Sequence, residues 1–158
     1  MTGRTHVTNI ITHDGQRYLV DTGFGGNLPM TPVPLNGETV ISENGEFKIE
    51  RADSEYGDYF LYMKLKHKDE DWKLGYVFDS THSVNRLSEL NEIQKIILEH
   101  PASPFNKRPL MTRRTARGNI ILTDTSFTEW IDGRVEKMEI DNKTFKEIAD
   151  GKFGIKVR

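Results

Sequence analysis

Polar and apolar positions alternate along most of this chain, and a period of two predicts strands. Thr5 to Thr12 and Arg17 to Thr22 are two such runs, both rich in β-branched residues. Between them, His13-Asp14-Gly15-Gln16 places an Asp-Gly pair where a two-residue hairpin turn needs positive φ. Gly23-Phe24-Gly25-Gly26 breaks the pattern, and Pro29, Pro32 and Pro34 keep the next segment extended and irregular. Glu46 to Arg51 alternates again. Tyr59 to His67 and Trp72 to Asp79 flank the charged tip Lys68-Asp69-Glu70-Asp71 and predict a second hairpin. Tyr59, Leu61, Met63 and Leu65 share one face, and Trp72, Leu74, Tyr76 and Phe78 share a parity; all eight are assigned to the core.

The period lengthens at Leu87 to Glu99, where Leu87, Leu90, Ile93, Ile97 and Leu98 form a stripe at helical spacing. Asn85 or Ser88 caps its start and Pro101 enforces its end. Ala102 to Gly118 is basic and irregular. Asn119 to Thr123, Ser126 to Ile131 and Arg134 to Ile140 predict strands, with Asp132-Gly133 as the last turn. Asp141 caps a final helix from Lys143 to Ala149, closed by Gly151, and Phe153 to Val157 predicts a short terminal strand. The class is α+β, mainly β, with a soft boundary near residues 100–105.

Composition narrows the function classes. The 158 residues suit one domain or two small subdomains, and eight Phe, five Tyr and two Trp supply bulk for a core. Mean hydropathy is −0.61, and no stretch approaches the ~20 apolar residues of a membrane span. The first residues carry no apolar leader, so the expected location is cytoplasmic, with no membrane partner. Twenty-two Lys and Arg against 24 Asp and Glu give a net charge of −2, which argues against nucleic-acid binding by bulk charge. Cysteine is absent, which excludes disulfides, thiolate zinc sites and a cysteine nucleophile carried by this chain. No His or carboxylate spacing suggests a metal.

The first hairpin carries chemistry. With Asp14-Gly15 as its turn, Thr8 faces Asp21 and His6 faces Gly23, so His6 and Asp21 are diagonal neighbours on one face. Their Cβ atoms are then ~7 Å apart or less, within reach of a side-chain hydrogen bond. A carboxylate on an imidazole fixes its tautomer and stabilises the imidazolium, the orienting half of a nucleophile–His–Asp triad. A polar pair near a strand end is the plainer reading of the same spacing.

Thr2-Gly3-x-x-His6, a strand, a turn, and then Tyr18-Leu19-Val20-Asp21-x-Gly23-Phe24-Gly25 resembles the arylamine N-acetyltransferases. Pro32-x-Pro34-Leu35, Leu90-Asn91, His100-Pro101-x-Ser103-x-Phe105 and Asp150-Gly151-x-Phe153-Gly154-Ile155 are similar to later segments of that family, so the resemblance covers nearly the whole chain. It implies an antiparallel barrel-like sheet over residues 1–100, with the His/Asp pair and the helix, followed by a smaller α/β lid subdomain over 101–158. It also implies a two-step acetyl transfer from acetyl-CoA to arylamines, arylhydrazines or N-hydroxyarylamines through a Cys-His-Asp triad, the chemistry of xenobiotic metabolism. His6 and Asp21 match the triad's His and Asp. The family's helical domain with its Arg-Gly-Gly-x-Cys motif has no counterpart here, so the chain resembles a truncated enzyme, inactive alone.

The resemblance further implies that Phe24 and Gly25 lie at the acceptor pocket, although Phe24 as a structural plug and Gly25 as a conformational residue remain open. Thr2 and Gly3 would lie near the CoA pyrophosphate, and Thr115 would line the cleft. Lys107, Arg108, Arg113, Arg114 and Arg117 are either a solvated face or an attraction for CoA phosphates. His13, His67 and His100 read as solvent-facing or structural. A missing helical domain would leave an apolar face, for which self-association is the simplest cover. The alternative function is a non-enzymatic small β-barrel module that binds an aromatic or CoA-like ligand.

Overall fold

The Asp14-Gly15 pair turns the chain back on itself with φ of 48° and 75°, the doubly positive geometry whose twist matches the flanking strands. It joins β1 (Asn9–His13) to β2 (Gln16–Val20), with His13 opposite Gln16 and Asn9 opposite Val20. The computed structural model describes residues 5–66 and 68–157. They divide into two compact units, residues 5–93 and 94–157.

In the first unit, β3 (Val33–Pro34) pairs with β2, an edge position that tolerates the N–H missing from Pro34. The second sheet runs β4 (Val40–Ser42), β5 (Gly45–Ser54), β6 (Gly57–Leu65) and β7 (Lys73–Phe78), all antiparallel neighbours in that order. Leu19, Val33, Phe47, Ile49 and Leu61 have no exposed surface, and Tyr59, Met63, Leu65 and Phe78 complete the core. Burying each such aliphatic or aromatic side chain contributes about 1.5–3 kcal/mol. The described strands of this unit form two open sheets rather than one closed barrel.

One register shift overturns part of the expected core. Leu61 faces Tyr76 but Tyr62 faces Leu74, so Gly75 is an extra residue in β7. The bulge reverses parity behind it. Tyr76 and Phe78 point to the core, whereas Leu74 is 50% exposed, and Trp72 stacks on the outer side with Lys48 Nζ 5.0 Å from its ring.

Helix α1 (Glu89–Glu99) starts under the Glu89 carboxylate, which accepts the N–H groups of Asn85 and Arg86. Its end is closed by Ser103 Oγ on the Ile97 carbonyl and Asn106 Nδ2 on the Leu98 carbonyl. No residue of α1 is buried, and Leu87 and Leu98, assigned to the stripe, are 83% and 59% exposed.

In the second unit, β8 (Leu110–Thr115), β9 (Gly118–Thr123), β10 (Ser126–Ile131) and β11 (Arg134–Glu139) form a sheet in the order β11-β10-β9-β8. Helix α2 (Asn142–Phe153) lays Phe145 and Ala149 on Ile120, Leu122 and Phe127. Strand β8 corrects the reading of 102–118 as irregular: its arginines hide the strand pattern, but the ladder to β9 holds it. Asp141 caps α2 by accepting the Thr144 N–H at 2.8 Å. The helix runs through Gly151 and ends at Gly154, whose φ of 71° is the left-handed closing conformation. Residues 154–157 are consequently not a strand. No described helix is long and apolar enough to cross a membrane.

Candidate active site

His6 precedes β1 and Asp21 follows β2, so the hairpin register brings them together without a long-range contact. His6 Nε2 and Asp21 Oδ2 are 2.8 Å apart. The Asp21 side chain is fully buried, while the imidazole remains 28% exposed. Two further donors converge on the carboxylate: the Gly23 N–H reaches Oδ1 at 2.8 Å, and the Tyr76 hydroxyl reaches Oδ2 at 2.7 Å. Burial pushes the Asp21 pKa up, but the bonds from His6, Gly23 and Tyr76 outweigh it and hold the pKa below the usual carboxylate value. Burial, followed by the Asp21 carboxylate, pushes Tyr76 above its ordinary range, so its hydroxyl stays protonated and donating.

The chemical consequence is directional. An ionised Asp21 only accepts, so Nε2 of His6 carries the proton in their bond. Nδ1 is then the nitrogen left to exchange a proton with a reacting group. Aromatic rings wall the imidazole: Phe24 lies 5.6 Å and Tyr76 4.9 Å from it, centroid to centroid, and Phe24 meets Tyr76 edge-on at 5.0 Å. The bulge residue Gly75 makes room for this packing. A Cβ there would stand 3.3 Å from the Leu61 carbonyl oxygen and 3.5 Å from Phe24 Cε1.

His6, Asp21, Phe24 and Gly25 thus lie together in the first unit. Phe24 also packs against that unit's core, and Gly25, at φ 60°, opens a 3-10 turn from Gly25 to Asn27. Thr115 ends β8 in the second unit, paired with Gly118. Thr2, Gly3 and His67 lie outside the described residues. Tyr76, which its parity assigns to the core, is also part of the site. An inward tyrosine needs a partner for its hydroxyl, and that requirement was the available signal.

The basic segment resolves into separate contacts within the second unit. Arg117 Nε donates to Asp132 at 2.9 Å, Arg113 Nη1 donates to the Lys152 carbonyl at 2.6 Å, and Arg108 lies 3.9 Å from Asp124. All three side chains are exposed. His13 is exposed, and His100 Nδ1 accepts the Ala102 N–H at 3.1 Å beyond α1.

A family model described as N-acetyltransferase matches residues 1–158. The uncharacterised acetyltransferase YvcN of Bacillus subtilis is 38% identical over 150 residues, 94% of this chain and 57% of its own length. Probable arylamine N-acetyltransferase 2 of Dictyostelium discoideum is 30% identical over 140 residues, 78% of this chain and 47% of its own. Among solved structures, an arylamine N-acetyltransferase of Bacillus cereus, described as having a unique Cys-His-Glu catalytic triad, superposes with a TM-score of 0.87 at 36% identity. That match covers 98% of this chain and 59% of the Bacillus cereus protein. The chain spans about half to three-fifths of the length of these relatives.

Proposed function

Because the chain belongs to the arylamine N-acetyltransferase family, we propose that His6 and Asp21 are the base and orienting carboxylate of a Cys-His-Asp triad that transfers acetyl groups to arylamines, arylhydrazines or N-hydroxyarylamines. The observation that carries the proposal is the 2.8 Å bond from His6 Nε2 to a buried, fully partnered Asp21. Members of the family use acetyl-CoA as donor. No cysteine is present in the 158 residues, so this reading needs a thiol supplied from outside them.

Nδ1 of His6 takes the thiol proton, and the resulting ion pair keeps the thiolate reactive at neutral pH. The thiolate attacks the acetyl carbonyl, the carbon–sulfur bond to CoA breaks, and CoA leaves with a proton. An amine nitrogen then attacks the enzyme thioester, gives its proton to the imidazole, and expels the thiol. Phe24 and Gly25 border the acceptor's ring in this reading. The Bacillus cereus relative has a Glu in its triad where this reading has an Asp, and either carboxylate can orient an imidazole.

The test is complementation. The purified chain is expected to give no acetyl-CoA-dependent acetylation of an arylamine by itself. Adding the part of YvcN outside its matched 57% is expected to restore turnover. His6→Gln should abolish the restored rate, and Asp21→Asn should cost about 10³–10⁴-fold. Turnover that survives His6→Gln defeats the triad reading. Tight CoA or arylamine binding with no restored rate favours the binding-module alternative.

A further inference from the structure

The loop that presents Phe24 is fastened at its far end by a buried polar pair that the proposed chemistry does not use. Phe24 caps the Gly25–Asn27 turn, and its carbonyl accepts the Asn27 N–H at 3.3 Å. The next residue, Leu28, gives its carbonyl to Asn44 Nδ2 at 2.7 Å. Two residues on, the Met30 N–H donates to Ser42 Oγ at 2.8 Å, and Ser42 Oγ donates to Asn44 Oδ1 at 3.0 Å. Ser42 and Asn44 are 8% and 6% exposed, so water does not compete for these bonds.

The base of this fastening is stiff. The Asn44 carbonyl accepts the Lys66 N–H at 2.9 Å. The neighbouring Gly45 is packed so closely that a Cβ would lie 2.4 Å from the Lys64 carbonyl oxygen. The β4–β5 turn is therefore tied to the end of β6, and one 3-10 turn connects it to Phe24. On the other side, the Phe24 ring rests on Tyr76 and over Gly75.

We infer that Ser42 and Asn44 are positioning residues that latch the 24–30 loop and set where the Phe24 ring stands, so that affinity for an acceptor's aromatic ring is controlled from the β4–β5 turn. The inference rests on the reading that Phe24 borders the acceptor. Removing either side chain frees Leu28 or Met30, lets the turn rotate, and releases Phe24 from its edge-on contact with Tyr76. The His6–Asp21 bond uses neither Ser42 nor Asn44, and the Tyr76 hydroxyl holds Asp21 from outside the loop, so the dyad is expected to survive.

The experiment uses the whole chain and three variants: Asn44→Ala, Ser42→Ala, and Ile41→Ala as the control, since Ile41 is 82% exposed and outside the latch. Nuclear Overhauser contacts between the Phe24 and Tyr76 rings report the ring position. The slowly exchanging Nε2 proton of His6 reports the dyad. Chemical-shift titration with 4-methoxyaniline, far below the melting temperature, gives the affinity for an arylamine. Asn44→Ala and Ser42→Ala are expected to lose the Phe24–Tyr76 contacts, keep the His6 signal, and weaken amine binding about 3- to 10-fold, the worth of roughly one neutral hydrogen bond. Ile41→Ala should change nothing. Retained ring contacts in both latch variants overturn the inference, as does unchanged amine affinity despite lost contacts. If the unmodified chain shows no amine binding, the acceptor reading of Phe24 fails, and the ring contacts alone still decide whether the latch positions it.

Discussion

Two hairpins in this molecule have the same turn and opposite fates. Asp14-Gly15 and Asp132-Gly133 both bend the chain with φ of 48° at the aspartate, followed by 75° and 81° at the glycine. The first hairpin delivers Leu19 and Asp21 into the interior, where a carboxylate collects three donors. In the second, all six residues of β11 are exposed, and Asp132 pairs with Arg117 in solvent. The turn sets register alone. What makes a site of the first hairpin is the second sheet laid against it, which removes water from Asp21 and brings Tyr76 across.

The largest effects should separate the two hairpins by burial. Leu19→Ala should cost about 2–5 kcal/mol in a denaturant titration, whereas Val135→Ala on β11 should stay within about 0.5 kcal/mol. Equal costs would mean that the two environments are not distinct.

Asp21→Asn should cost about 2–3 kcal/mol at neutral pH, because it replaces charge-assisted bonds in a buried place. The pH dependence has a definite sign. The folded pKa of Asp21 lies below its unfolded value of about 3.9, so the stabilisation is complete above that value and is lost as pH falls through the folded pKa. The stability gap between the parent and Asp21→Asn should therefore close under acid, as measured by chemical denaturation from pH 7 to 2.

Gly15→Ala and Gly133→Ala should be destabilising by a similar amount, about 1 kcal/mol, because both force a Cβ into positive φ. A clear difference in melting temperature between them would show that the turns are not equivalent. The smallest effect belongs to the exposed pair, where Arg117→Ala should leave the melting temperature within error.

Much of the first hairpin was legible in the sequence because its determinants are local. Asp-Gly fixes the turn, the turn fixes the register, and the register places His6 beside Asp21. Asp141 as a helix cap was legible for the same reason. The missed features depend on partners. Gly75, an isolated glycine inside a strand pattern, was a signal for a bulge that the alternation overrode; the bulge sends Leu74 and Trp72 outward and turns Tyr76 toward Asp21. Strand β8 was hidden by its arginines, since a ladder needs no hydrophobic alternation on an exposed edge. The sequence pattern closes α2 at Gly151, whereas the left-handed φ of Gly154 ends it three residues later, because the two glycines differ only in the backbone conformation that folding gives them. The Ser42–Asn44 latch joins residues 12 to 16 positions from their partners, with no periodicity to announce it.

The half-buried stripe of α1, with Leu87 and Leu98 exposed beside it, bears on how the chain behaves as a colloid. An amphipathic helix without a buried residue adds sticky surface to a molecule of net charge −2 and an isoelectric point near 6.2. Near pH 6, charge repulsion between copies vanishes while the stripe remains, so solubility should pass through its minimum there. Raising the pH by about two units restores a repulsive negative charge, and high concentrations of sulfate should have the opposite influence by strengthening contacts between stripes.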